Sequence, residues 1–150
     1  MRKLQYILSV IPLLLFVDLA HAGDKEDVLA TMDAIRAAWT AGDVDAALNH
    51  MEEEVDVYLR NGSLLSRPDW EGARAAFAAG LKVKIQPVHT KVRVFGEAAI
   101  LTEYMIVQTT PPGGTRINET ERRTVVFAKQ KGQWKVVHAH FSYLTPENPE

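Results

Sequence analysis

The run from Arg122 to Ser142 constrains this chain more than any other stretch. Two segments rich in β-branched and aromatic residues flank Lys131-Gly132, which is the pattern of a hairpin between two sheet strands. With a side-chain period of two, the second arm places Trp134, Val136, His138, His140 and Ser142 on one face. Lys135, Val137, Ala139, Phe141 and Tyr143 take the other. Nearly every position is apolar or aromatic on both faces, so the hairpin is expected at the centre of a sheet, covered on both sides.

The beginning of the chain carries an address. Arg2-Lys3, the apolar run Leu4 to Val17 and the small-x-small site Ala20-His21-Ala22 fit a secretory signal peptide over residues 1–22. The run is shorter than the ~20 residues of a membrane span. The expectation is one domain over 23–150, periplasmic or secreted, with no membrane association after cleavage. There is no cysteine, so disulfides and thiolate chemistry are excluded. The formal net charge is −2, and loss of Arg2, Lys3 and Asp18 leaves it one unit more negative. Without a basic block, neither nucleic acid nor an anionic membrane surface is an expected partner.

Between leader and hairpin, helical patterns come first and strands after. Asp24 is placed to cap a helix whose stripe is Val28, Met32, Ile35 and Trp39. Gly42 ends it, and Asp43 opens a shorter helix with Val44, Ala47, Leu48 and Met51 inward. Val55, Val57 and Leu59 alternate with Asp56, Tyr58 and Arg60 in a strand closed by Asn61-Gly62. Asp69 is placed to cap a third helix, with Trp70, Phe77 and Leu81 on one face. A strand from Val83 to Phe95 follows, which Pro87 must interrupt or place at an edge, and then one from about Ala99 to Thr109. This order predicts an α+β fold, with three N-terminal helices packed on a curved antiparallel sheet.

Three motifs add a resemblance. Ala38 to Asp43 (Ala-Trp-Thr-Ala-Gly-Asp), Gly132 to Ser142, and more weakly Pro87 to Thr90 with the Tyr104 strand, resemble the nuclear transport factor 2-like superfamily. Within it they look like the SnoaL-like branch and the association (hub) domain of calcium/calmodulin-dependent kinase II. The resemblance covers 23–150 and implies a cone-shaped fold with a pocket between helices and sheet. It does not fix the activity, because the superfamily holds isomerases, cyclases, dehydratases and domains without catalysis. Hub domains bind small carboxylates through pocket arginines. Aligned without gaps, those positions are Ile106, Val125 and Phe141, all apolar here, so a carboxylate site is not implied.

The candidate site follows from strand parity carried through that resemblance. Tyr104, Ile106, Arg123, Val125, Phe127 and Phe141 are expected on the pocket side, with Tyr58 and Trp70 at its wall. His138 and His140 are expected on the opposite face, where they and Glu103 are the acid–base or interface candidates. Two histidines on one strand face can share a metal only with a third ligand. Neither His89 nor Glu103 has a diagnostic spacing, so no metal and no cofactor are expected. Asp33 and Asp56 are the other acids set among apolar positions. The expected function is binding of a small, largely apolar ligand, the alternative being a cofactor-independent isomerase, cyclase or dehydratase. Met105, Val107, Thr124, Val126, Trp134 and Val136, beside the two histidines, are expected to form an outer apolar sheet face. Such a patch predicts a homodimer with sheets packed back to back.

Overall fold

The computed structural model describes residues 14–66 and 70–144, with side chains from Gly23 onward and without that of Ser66. Helix α1 (Leu14–Ala41) and the short α2 (Val44–Leu48) precede strands β1 (Met51–Tyr58) and β2 (Leu64–Ser66). Helix α3 (Glu71–Ala78) follows. Then come β3 (Lys82–Phe95), β4 (Ala98–Thr110), β5 (Ile117–Gln130) and β6 (Gln133–Tyr143). Residues 1–13 of the expected leader lie outside the described residues, as do its side chains through Ala22 and the expected cap Asp69. No described helix is long and apolar enough to cross a membrane.

The α1 stripe closes as the spacing predicts: Val28, Met32 and Ile35 are buried. Its start differs. The backbone is already helical before Asp24, whose carboxylate accepts instead from Lys129 Nζ at 2.5 Å. The end is a Schellman turn, with Asp43 N–H bonded to Ala38 O and Gly42 N–H to Trp39 O. Gly42 holds φ +77°, a left-handed value that favours glycine. Asp43 then caps α2 through Ala46 N–H at 2.9 Å.

The six strands form one sheet in the order β2-β1-β6-β5-β4-β3. The expected all-antiparallel sheet is corrected to a mixed one, because β1 and β6 run parallel. Lys131 and Gly132 both have positive φ, so the β5–β6 hairpin closes on a two-residue type I′ turn. Pro87 is tolerated because β3 is an edge strand, and the register also slips there, between Pro87 and His89.

A second slip decides which residues face inward. Val126 pairs with His138 but Phe127 pairs with Val136, so Val137 is an extra residue in β6. An odd insertion reverses the alternation beyond it. Trp134 and Val136 therefore enter the core before the bulge, and Ala139 after it, while His138 and His140 turn to the outer face. On β4 the inward residues are Leu101, Glu103, Met105 and Val107. The expected outer apolar face accordingly loses Met105, Val107, Trp134 and Val136, all of them buried. Only Thr124, Val126, His138 and His140 of that set point outward.

Candidate functional site

Helix α1, the start of α3 and the inner sheet face border a cavity of about 470 Å³ that opens to solvent at its rim. Its wall is mainly apolar: Ile35 and Trp39 come from α1, Met105 and Val107 from β4, and Phe141 from β6. Trp70, at the start of α3, also lines it and packs on Trp39 with ring centroids 5.5 Å apart. Aromatic rings here give a large, rigid apolar surface.

The polar groups enter from the centre of the sheet. Glu121, Arg123 and Val125 line the cavity from alternate positions of β5. Arg123 forms an ion pair with Glu103, whose side chain is fully buried. Glu103 also accepts from Arg36 Nη2 at 2.5 Å and from Thr90 Oγ1 at 3.0 Å. One carboxylate thus lies between two guanidinium groups, and Arg36 reaches a second acid, the exposed Asp33. Nearer the rim, Arg60 Nη1 donates to Glu121 at 2.5 Å, and Arg60 Nε donates to the Tyr143 hydroxyl at 2.6 Å. Arg60 Nη2 lies 3.4 Å from Glu119.

Burial dominates the electrostatics. It lowers the Arg123 pKa, which Glu103 partly restores and Arg36 lowers further. It raises Glu121 above the ordinary carboxylate value against the pull of Arg60, while Glu119 pushes the same way as burial. Arg60 itself ends raised: burial lowers it, and Glu121, Glu119 and the Tyr143 hydroxyl together outweigh that. Both partners of the Arg60–Glu121 pair are therefore raised. The two shifts differ in origin because Glu121 is the more enclosed, 2% exposed at its side chain against 35% for Arg60.

Of the residues expected at the pocket, Trp70, Arg123, Val125 and Phe141 line this cavity. Tyr58, Tyr104 and Ile106 do not. Ile106 alternates with the inward Met105 and Val107, and the other two are exposed on the outer face at 46% and 44%. Tyr104 lies instead in a groove of about 420 Å³ with His89, Arg122, His140 and Ser142. The Tyr58 ring meets His138 and His140 edge-on at 5.7 and 6.2 Å. Among the described residues, no three His, Asp or Glu side chains converge on a point where a metal could sit. Glu103 is the hub of the buried ion network behind Arg123. The sequence reading missed Arg60, Glu121, Met105 and Val107. Glu121 had a signal: it stands two residues before Arg123 and so shares its face.

Comparison with known proteins agrees with this architecture. A family model described as a SnoaL-like domain matches residues 28–146. No curated protein matches the chain in sequence. A candidate dehydratase of the nuclear transport factor 2-like family from Streptomyces avermitilis superposes with a TM-score of 0.75 at 18% identity. That match covers 84% of this chain and 99% of the other. A candidate calcium/calmodulin-dependent protein kinase II association domain from Xanthomonas campestris gives 0.68 at 21%, covering 78% and 85%. A candidate ketosteroid isomerase from Shewanella frigidimarina gives 0.63 at 25%, covering 75% and 92%. At these identities the likeness is one of fold.

Proposed function

The chain belongs to the SnoaL-like domain family, and from that premise we propose that it binds a small, largely apolar molecule in the cavity between α1, the start of α3 and the sheet. One observation carries the reading: a mainly apolar-walled cavity of about 470 Å³, within the usual size range of small-molecule sites. The leader features at 1–22 support, as part of the proposal, an activity outside the cytoplasm, in the periplasm or the medium. A second reading has its own support. Glu121 is a buried carboxylate with a raised pKa in the cavity wall, the kind of group that serves as a general acid or base. It would suit a cofactor-independent isomerase, cyclase or dehydratase.

Pairing of two copies through the outer sheet face is part of the proposal, on a different basis from the buried apolar set. That face exposes Tyr58, Ile100 and Tyr104 beside His138 and His140. Tyrosine is enriched in interface cores.

Native mass spectrometry of protein purified from the envelope of its own host tests the main claim. The expected result is a mature chain starting at Gly23 that carries a small-molecule adduct. Val107→Arg should abolish the adduct and the binding of apolar fluorescent probes, since an unpaired charge in a dry cavity costs several kcal/mol. Undiminished probe binding in folded Val107→Arg protein would refute the cavity as the site.

A further inference from the structure

The cavity wall contains unfinished hydrogen bonds. Arg123 Nε and Trp70 Nε1 are both buried and have no acceptor, although both residues line the cavity. Native proteins pair nearly all such groups, and a buried donor left alone costs about as much as a lost hydrogen bond. The carboxylate nearby is unfinished in the complementary sense. Glu121 Oε1 is held by Arg60, and no donor among the described residues reaches Oε2. Arg123 and Glu121 are two positions apart on the inner face of β5, so their backbones stand roughly 7 Å apart along the strand and their side chains enter the same cavity. Met105 pairs across the sheet with Glu121, and Phe141 with Arg123, so apolar side chains flank both groups.

The charges around the cavity restrict the guest further. The arginines Arg36, Arg60 and Arg123 are each ion-paired, with Glu103, Glu119, Glu121 and the exposed Asp33 as the acids, so no cation of the network stands without an anion. A guest carboxylate would meet Glu121 at short range in a medium of low dielectric, and a guest ammonium would meet Arg123 and Arg36.

We propose that the cavity takes an uncharged, mainly apolar molecule carrying a carbonyl oxygen that accepts from Arg123 and, at a separate position, a hydroxyl that donates to Glu121. The inference rests on the cavity being the ligand site and adds the chemistry of the ligand. Trp70 supplies a further donor from the helix side, suited to the carbonyl's second lone pair or to another oxygen.

Four naphthalenes of nearly constant shape separate the possibilities. These are 2-ethylnaphthalene, 2-acetylnaphthalene, 6-hydroxy-2-acetylnaphthalene and 2-naphthoate, measured by equilibrium dialysis against the mature chain. Each matched polar group should tighten binding by roughly tenfold, the scale of a hydrogen bond to a charged partner. The expected order is hydroxyacetyl over acetyl over ethyl, with naphthoate weakest. Glu121→Met should cancel the hydroxyl increment alone. The carbonyl increment and ethylnaphthalene binding should survive in that variant. Equal affinity for acetyl and ethyl compounds would overturn the proposal while leaving the cavity as the site, and so would preferred binding of naphthoate. Failure of all four to bind would remove the cavity reading and the proposal with it. The wild-type series decides the carbonyl claim even if Glu121→Met does not fold.

Discussion

Replacing Glu103 by Gln isolates the charge at the centre of the buried network. The side chains involved are almost wholly enclosed: Glu103 is 0% exposed, Arg123 4% and Arg36 8%. Glutamine keeps the volume and can still accept from Thr90, so no cavity opens. What disappears is the one anion between two guanidinium groups. Only Asp33 would then remain beside Arg36, and that carboxylate is exposed. Breaking a buried pair in this way costs about 3–5 kcal/mol, because the remaining charge stays desolvated and unpaired. Against a domain stability of about 5–15 kcal/mol, this is a large fraction. Urea unfolding followed by tryptophan fluorescence should show a lower midpoint with an unchanged slope. Asp33→Asn is the control. Because Asp33 is exposed, its loss should cost less than about 1 kcal/mol. The triple change Arg36→Met, Glu103→Leu, Arg123→Met should recover most of the loss, as buried ion clusters replaced by apolar groups often do. A loss below about 1 kcal/mol for Glu103→Gln would show that water reaches these charges and that the network is not part of a dry core.

Two further outcomes follow from burial. Val136→Glu puts a charge beside Phe127 in the core and should prevent folding, whereas His138→Glu, on the other side of the bulge, should leave a folded chain. Circular dichroism distinguishes these, and light scattering of folded His138→Glu reads the proposed pairing, which should weaken. A folded Val136→Glu protein would refute the bulge. Glu121 sets the second. Its folded pKa is raised by burial, so the stability it contributes is complete below the ordinary carboxylate value and is lost as pH rises through the folded value. The melting temperature of Glu121→Gln relative to wild type should therefore climb as pH rises from the ordinary carboxylate value through the raised folded one, and a falling difference would reverse the assigned sign.

Much of the architecture was legible because it depends on spacing. The α1 stripe, the Gly42 stop, the Lys131-Gly132 turn and the edge position of Pro87 each rest on a local rule about backbone or periodicity. The site was harder to read because it breaks those rules. On β4 the inward set is Leu101, Glu103, Met105 and Val107, and the buried glutamate makes the right face look wrong. Tyr104 and Ile106 were expected in the pocket because the resemblance, aligned without gaps, put Ile106 at a pocket position and strand parity carried Tyr104 with it. On β6 the stretch Val136-Val137-His138-Ala139 is favourable to a strand throughout, so nothing in it marks Val137 as the extra residue. The parallel pairing of β1 with β6 is a long-range contact with no local signature.

The inner face of β5 shows why the cavity lies where it does. Phe127 pairs across the sheet with Ala99 on one side and Val136 on the other, and all three are essentially inaccessible. At that end the core is filled. Two and three steps back along the same face stand Arg123 and Glu121, whose neighbours include Phe141, Met105 and the half-exposed Tyr143. The strand is therefore apolar at one end of its inner face and charged towards the other, instead of apolar on one face and polar on the opposite one. An apolar core could have continued to the rim with no loss of stability, since buried ion pairs rarely outperform well-packed hydrophobic side chains. On the proposed reading, charges kept at the sheet centre and hydrogen bonds left open beside an unfilled volume would serve selection of a guest rather than stability of the fold. Filling the cavity should demonstrate this. Val107→Phe should raise the melting temperature or leave it unchanged while removing the binding of every naphthalene probe, and a sharp loss of stability would mean that the volume is already occupied by packed side chains.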